Sequence, residues 1–142
     1  MILLDVNVLV HACRRDAARH AEYRRWLEQT LTAGESVGIA PESLAATVRI
    51  TTHRKIWKEP LSLEEAFAFT DAVRDAPAAV PVQPGPGHWD LFSMLARQAN
   101  ARGNLITDAW MAALAVEQGC TLVTTDRDFG RFKPLRWRLP LE

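Results

Sequence analysis

The sequence predicts an α/β fold with a mainly parallel central sheet flanked by helices. Three observations carry this expectation. Short apolar runs ending in acids or turn residues alternate along the chain with stretches of helical periodicity. Helix punctuation sits where that alternation needs it: Pro41 and the Ser62/Glu65 pair at two starts, Gly34 and Gly119 at two ends. The length, 142 residues at 48% hydrophobic content, suits one domain over residues 1–142 with a full core, and no internal repeat interrupts it.

Taken in order, Ile2, Leu3 and Leu4 form a continuous apolar run, as in a strand buried on both faces, and Asp5 ends it. If extended geometry persists beyond it, Asn7 faces the same side as Asp5. Residues 16–34 read as an amphipathic helix with Ala18, Ala21, Trp26 and Leu27 as its apolar positions. "SVGIAP" is a short strand, and residues 41–54 a helix with Leu44, Ala45 and Val48 apolar. The capping box opens a helix whose apolar face is Leu63, Ala66, Phe67, Thr70 and Val73. "AAVPVQPG" is a strand with a turn behind it. The next helix runs from His88 to near Gly103, with Trp89, Phe92, Leu95 and Ala96 at helical spacing. In "NLITDAWMAALAVEQG", Thr107 reads as a cap, Asp108 as the helix start, and Trp110, Met111, Leu114 and Ala115 as the inward stripe. "CTLVTTD" is the last clear strand.

Composition narrows the function classes. Seventeen basic residues balance 17 acidic ones, so a strongly basic nucleic-acid coat is absent, while zero net charge favours association. The basic residues still cluster, around Arg14–Arg25, Arg49–Lys58 and Arg127–Arg138, which permits a local basic rim. Cys13 and Cys120 stand in apolar surroundings with no CxxC and no zinc spacing, as expected of free thiols in a reducing compartment. The first residues carry Asp5, lack a basic start and are too short for a signal peptide or membrane span, so the expectation is a cytoplasmic protein without a membrane.

In parallel sheets, ligands bind outside the carboxyl ends of the strands. Asp5 and Asp126 fall at two such ends, and Asp108 follows the apolar "LIT" at a helix start. Each acid alone has a plain alternative: a turn, a helix amino end or a loop. Converging at one sheet edge, however, three carboxylates repel each other until a cation neutralises them. A hard divalent ion with oxygen ligands, Mg2+ or Mn2+, suits them, and with no serine, cysteine or histidine nucleophile nearby the implied chemistry is attack of activated water on a phosphodiester. Asn7 could orient a water or a phosphate, and Thr124 and Thr125 are hydroxyls beside the carboxylates, with β-propensity the competing explanation for Thr124. Asp128, two residues past Asp126, reads as an outer-shell or structural acid. Arg127 and Arg131 flank the two aspartates and are candidates for phosphate contact. His53 and Arg54 are a second basic candidate, and Trp57 is expected to be structural.

"LLDVNVLV", "RITTHRKIW" and "LITDAWMAALAVEQGCTLVTTDRDFGRF" together resemble a PIN domain, and more narrowly the VapC-type toxins that pair with VapB antitoxins. The resemblance covers nearly the whole chain. It implies a PIN-like three-layer fold and a Mg2+-dependent endoribonuclease acting on structured RNA such as tRNA or rRNA. It also implies a homodimer and a cognate VapB-like antitoxin. Carried over residue by residue, the family's acids match Asp5, Asp108 and Asp126, with Asp128 as the second acid of "DxDF". The sequence departs from the family at one place. Where PIN domains usually carry a glutamate in the helix after the second strand, Ala45 and Ala46 stand here. Glu42, about one turn earlier, is the remaining candidate, with first-turn helix charge as the competing reading.

Two other enzyme classes fit poorly. A haloacid-dehalogenase phosphatase needs an acid where Asn7 stands, and a receiver domain needs adjacent acids at the first strand and a lysine near the last. The serious rival is a PIN-like protein- or RNA-binding module with little catalytic activity.

Overall fold

The structure, a computed structural model, describes residues Met1–Glu142. Five strands form one sheet: β1 (Ile2–Leu4), β2 (Val37–Ile39), β3 (Ala79–Pro81), β4 (Thr121–Val123) and β5 (Trp137–Arg138). Their order is β3-β2-β1-β4-β5, and every neighbouring pair is parallel. Six helices cover it: α1 (Val6–Cys13), α2 (His20–Thr32), α3 (Pro41–Thr51), α4 (Leu63–Arg74), α5 (His88–Gln98) and α6 (Asn104–Glu117). A 3-10 helix, Arg127–Arg131, follows β4. The expected α/β architecture is therefore present, with the sheet wholly parallel.

The alternation of side chains along β1 builds three layers. Ile2 and Leu4 point to one face, where they meet Val8 and Leu9 of α1, Leu27 and Leu31 of α2 and Val73 of α4. Leu3 points to the other, against α6 residues Ala109, Ala112 and Leu114, with Leu95, Phe129 and Phe132 behind them. Each fully buried Leu or Phe contributes roughly 1.5–3 kcal/mol by leaving water. Gly38 lets β2 lie close in the sheet: a Cβ there would stand 2.9 Å from Val82 Cγ2 and 3.1 Å from the Ile2 carbonyl. The central strand β1 thereby pairs on both sides, and its carboxyl end is fixed between β2 and β4.

Several local expectations are corrected. The chain beyond Leu4 does not stay extended: Asp5 caps α1, and residues 6–13 are helical despite Val6, Val8 and Val10. The Asp5 carboxylate accepts from the Val6 N–H at 2.7 Å and so supplies the start that β-branched residues do not. In α2 the buried residues are Tyr23, Leu27 and Leu31, while Ala18 and Ala21 are exposed. In α3 the fully buried residues are Ser43, Thr47 and Thr51, whereas Leu44 and Val48 are half-buried, Leu44 against the α1–α2 core, and Ala45 is exposed. Small hydroxylated residues allow close packing there, and Thr47 and Thr51 return their hydroxyls to the carbonyls of Ser43 and Thr47, at 2.7 and 2.8 Å. The capping box of α4 is present, but its Leu63 and Phe67 lie outward, as does Trp89 of α5. Helix α6 begins four residues before Asp108. Gly103, at φ 56, forms the break that lets Asn104 start it, and Thr107 is already inside. Gly119, at φ 65, follows its end as expected. Finally, β5 adds a strand beyond "CTLVTTD".

Candidate active site

The carboxyl ends of β1 and β4 lie side by side because the two strands pair in register up to Leu4 and Val123. The Asp5 N–H closes the ladder on the Val123 carbonyl at 3.0 Å. Asp5 is 6% exposed, yet its carboxylate is well supplied with donors. Besides Val6, it accepts from the Thr124 hydroxyl at 2.7 Å and the Asn7 side-chain amide at 2.8 Å. The Asn7 amide also lies 3.1 Å from the Thr124 hydroxyl, and its carbonyl oxygen accepts from the Thr125 N–H at 3.1 Å. Thr124 Oγ1 in turn accepts from the Asp126 N–H at 3.0 Å. Asp126 then caps the 3-10 helix through the Asp128 N–H at 2.8 Å. One continuous network thus runs from Asp5 through Asn7 and Thr124 to Asp126.

Asp108 comes to this edge from α6. Its carboxyl is pushed up to about 6, first by burial and then by the negative charges of Asp5, Asp126 and Asp128. Burial likewise raises Asp5, against the pull of the hydrogen bonds from Thr124, Val6 and Asn7, and the Asp126 charge adds to the rise. Four aspartates from three segments therefore share one electrostatic field, and no cationic side chain lowers the pKa of Asp108 or Asp5. The all-oxygen donor set and its excess negative charge fit a hard divalent cation. No three of these side chains stand at metal-holding spacing as they lie. Asp5 and Asp126 have oxygens turned to N–H groups of their own loops, so the carboxylates would have to close on an ion.

The remaining candidates separate. Asn7 joins the network, through the first turn of α1 rather than by strand alternation. Thr125 joins through its backbone N–H. Asp128 is exposed and lies 3.7 Å from Arg131, and Arg127 pairs with Glu142 at 3.1 Å. Glu42 lies exposed in the first turn of α3, at the sheet edge the site occupies, but outside the set of charges that raise Asp108. Ala46 is half-buried and Ala45 exposed. Trp57 is structural: its indole N–H donates to the Ile50 carbonyl at 2.9 Å, and the Arg14 guanidinium lies over its ring at 4.3 Å.

Thr124 is the residue that sequence reasoning undervalued. It is fully buried and touches Asp5, Asn7 and the Asp126 backbone at once. A hydroxyl two residues before an acid, at the end of an apolar strand, was the available signal.

This arrangement, a parallel sheet with aspartates gathered at the carboxyl ends of the neighbouring strands β1 and β4, defines a class of α/β domain with an acidic site at the sheet edge. The family model described as PIN domain matches residues 2–134. The chain belongs to the PIN domain family, among its VapC ribonucleases. Ribonuclease VapC43 of Mycobacterium tuberculosis is 44% identical over 142 residues, covering 100% of this chain and 97% of the relative. Ribonuclease VapC25 of the same species is 41% identical over 136 residues, 96% of each chain. Among solved structures, VapBC2 from Rickettsia felis, bound to a promoter DNA fragment, superposes with a TM-score of 0.72 at 19% identity, covering 98% of each chain. Mycobacterium tuberculosis VapC20, a sarcin-ricin loop cleaving toxin, gives a TM-score of 0.66 at 18% identity over 96% of this chain and 99% of that one. At such identities the two structures speak for the fold alone.

Proposed function

We propose that this chain is a metal-dependent endoribonuclease, the toxin of a type II toxin–antitoxin pair, working as a single domain over residues 1–142. The observation that carries the reading is the gathering of Asp5, Asp108, Asp126 and Asp128 at one sheet edge, where burial first and then the three neighbouring charges push Asp108 up to about 6. A cluster of like charges that the protein leaves uncompensated is a binding site for positive charge. When bound, Mg2+, or Mn2+ in its place, would lower the pKa of a water and offset charge on the phosphate under attack.

The chain's own residues have separable roles. Asp5, Asp108 and Asp126 are the ligands. Thr124 and Asn7 hold the Asp5 carboxylate in one orientation and couple it to the Asp126 loop. Asp128 adds negative charge from the rim. Thr125, Arg127 and Arg131 line the approach and meet the RNA backbone, and Asn7 faces the same opening. Glu42 is a further acid at that edge and the candidate replacement for the family glutamate, whose expected place Ala45 and Ala46 occupy. The substrate class is structured RNA, tRNA or rRNA, and the partners are a VapB-like antitoxin and a second copy of the chain in a homodimer. No helix is long and apolar enough to cross a membrane, and we place the protein in the cytoplasm.

The test is cleavage of total RNA by the purified protein with and without Mg2+ or Mn2+. Metal-dependent cleavage by the wild type, lost in Asp5→Asn, supports the reading. Asparagine keeps the volume and an acceptor oxygen for the Val6 N–H, and circular dichroism of the variant checks that it is folded. Equal cleavage by Asp5→Asn would overturn the mechanism, and a well-folded wild type that cleaves no RNA would favour a binding module.

A further inference from the structure

We propose that the cavity beside the site, between the Arg19 turn and residues 139–142, is a phosphodiester subsite for RNA gated by Glu142. The proposal rests on the ribonuclease reading for its ligand. The cavity holds about 250 Å³ and is lined by Arg19, Tyr23, Thr125, Arg127, Leu141 and Glu142, among others. Thr125 and Arg127 flank Asp126 in sequence, and the Thr125 N–H is held by Asn7 at 3.1 Å. One wall of the cavity is therefore continuous with the aspartate network. A strand of RNA whose scissile phosphate lies at the aspartates would pass a neighbouring phosphate along this wall.

Two guanidinium groups serve the cavity, and each now rests on an exposed carboxylate. Arg19 donates to Glu22 at 2.9 and 2.8 Å, and Arg127 donates to Glu142 at 3.1 Å. Exposed pairs of this kind are weak and screened. A guanidinium matches the oxygens of a phosphate as well as it matches a carboxylate, so an RNA phosphate held also by the rest of the site can replace either partner. Glu142 thus sits on Arg127 as a substrate anion would.

The two sides of the cavity are not held like chance surface. Arg19 has φ 56, one of only two non-glycine residues with positive φ in the chain. The turn that imposes this is tied down at both ends: Nδ1 of His11 lies 3.1 Å from the Ala18 carbonyl, and Nδ1 of His20 lies 3.0 Å from the His11 carbonyl. A strained, anchored residue whose side chain lines a cavity next to a site is a functional candidate. On the far side, Pro140 is buried and Leu141 packs against the α1–α2 core, which carries Glu142 to Arg127. Glu142 then acts as a gate: its carboxylate must leave Arg127 before phosphate enters.

The experiment measures binding of a short single-stranded RNA by fluorescence anisotropy across a salt series, with cleavage assayed separately on the wild type. Binding is read in the non-cleaving Asp108→Asn protein, full length. Arg19→Gly is the informative variant, because glycine accepts the positive φ and the turn survives. We expect Arg19→Gly and Arg127→Gln each to weaken binding about three- to tenfold and to flatten the log–log salt slope by about 0.7. Glu142→Gln should tighten binding about two- to fivefold and, in the cleaving protein, lower KM with kcat unchanged. Unchanged affinity and slope in Arg19→Gly, or no tightening in Glu142→Gln, would overturn the proposal even if the wild type cleaves RNA. If these shifts appear while the wild type cleaves nothing under any metal, the subsite stands and the ribonuclease reading falls.

Discussion

The two walls of the site are built on different terms. The β1–β4 wall is locked: Asp5, Asn7, Thr124 and Asp126 hold one another through six hydrogen bonds of 2.7–3.1 Å that include the backbone of both loops. The α6 wall presents Asp108, half-buried and facing three like charges. The first wall is preorganised by local donors, which only partly offset the burial that raises Asp5. The second has no such donors in the balance, and burial and three like charges act on Asp108 together. Preorganisation thus belongs to one element while charge imbalance spans both, and a cation would act by joining them. Substitutions on the two walls should consequently separate activity from stability.

The largest effect is expected on the locked wall. Asp5→Asn or Asp126→Asn should lower kcat for RNA cleavage by more than about 100-fold, beyond the ~10–100-fold typical of residues that only support a ligand. Metal titration by calorimetry should show matching loss of affinity. Thr124→Val comes next. It removes the hydroxyl that joins Asp5 to the Asp126 N–H and leaves the buried Asp5 carboxylate one donor short, which should cost about 1–3 kcal/mol in urea unfolding and about 10–100-fold in activity. If Thr124→Val is stable and active, the wall is not organised through that hydroxyl.

Asp108→Asn should reverse the sign for stability while still abolishing cleavage. The folded protein binds the Asp108 proton more tightly than the unfolded chain does, with a carboxyl at about 6 against 3.8. Below pH 3.8 both states are protonated and the group is neutral in its effect. As pH rises from there to about 6, the unfolded chain releases the proton first, so the metal-free native state loses stability, and above about 6 the loss is complete. Asp108→Asn removes this. The metal-free variant should be more stable than wild type by about 1 kcal/mol at pH 7, a figure discounted for the group's partial exposure, with the two curves converging near pH 4. Saturating Mg2+ should reverse the order. A variant less stable than wild type at pH 7 without metal would mean that Asp108 is a structural acid.

The difference between the walls also sets what the sequence reveals. Asp5 and Asp126 were legible because an apolar run stopping at an acid marks a strand end directly. Asp108 was legible as a helix start but not as a residue already inside the helix, since Gly103 starts α6 through its left-handed backbone and not through a capping side chain. Helix α1 was hidden because Val6, Val8 and Val10 favour strands, and a single carboxylate, Asp5, tips the chain into a helix. The most buried positions of α3 were missed for a related reason. Hydroxyls that bond within their own helix become compatible with the core, which hydropathy cannot register. Strand β5 is two residues long at the sheet edge and pairs only with β4, too short for periodicity to mark.

Glu42 is the smallest and most discriminating case, because it belongs to neither wall. It follows β2 directly at the same sheet edge, in the first turn of α3, where negative charge is stabilised by about 0.3–1 kcal/mol. If that is its whole role, Glu42→Gln should lower stability by that amount at low salt, the effect should fade at high salt, and cleavage should stay within about twofold of wild type. If Glu42 completes the ligand set that Ala46 leaves short, Glu42→Gln should weaken Mg2+ binding and lower kcat about tenfold or more with stability unchanged. The companion variant Ala46→Glu sharpens the choice. Ala46 is half-buried on α3, one turn from Glu42. A glutamate there should restore activity to Glu42→Gln only if the two positions serve the same ion. Failure of that rescue, alongside a wild-type level of cleavage in Glu42→Gln, would leave the site with aspartates alone.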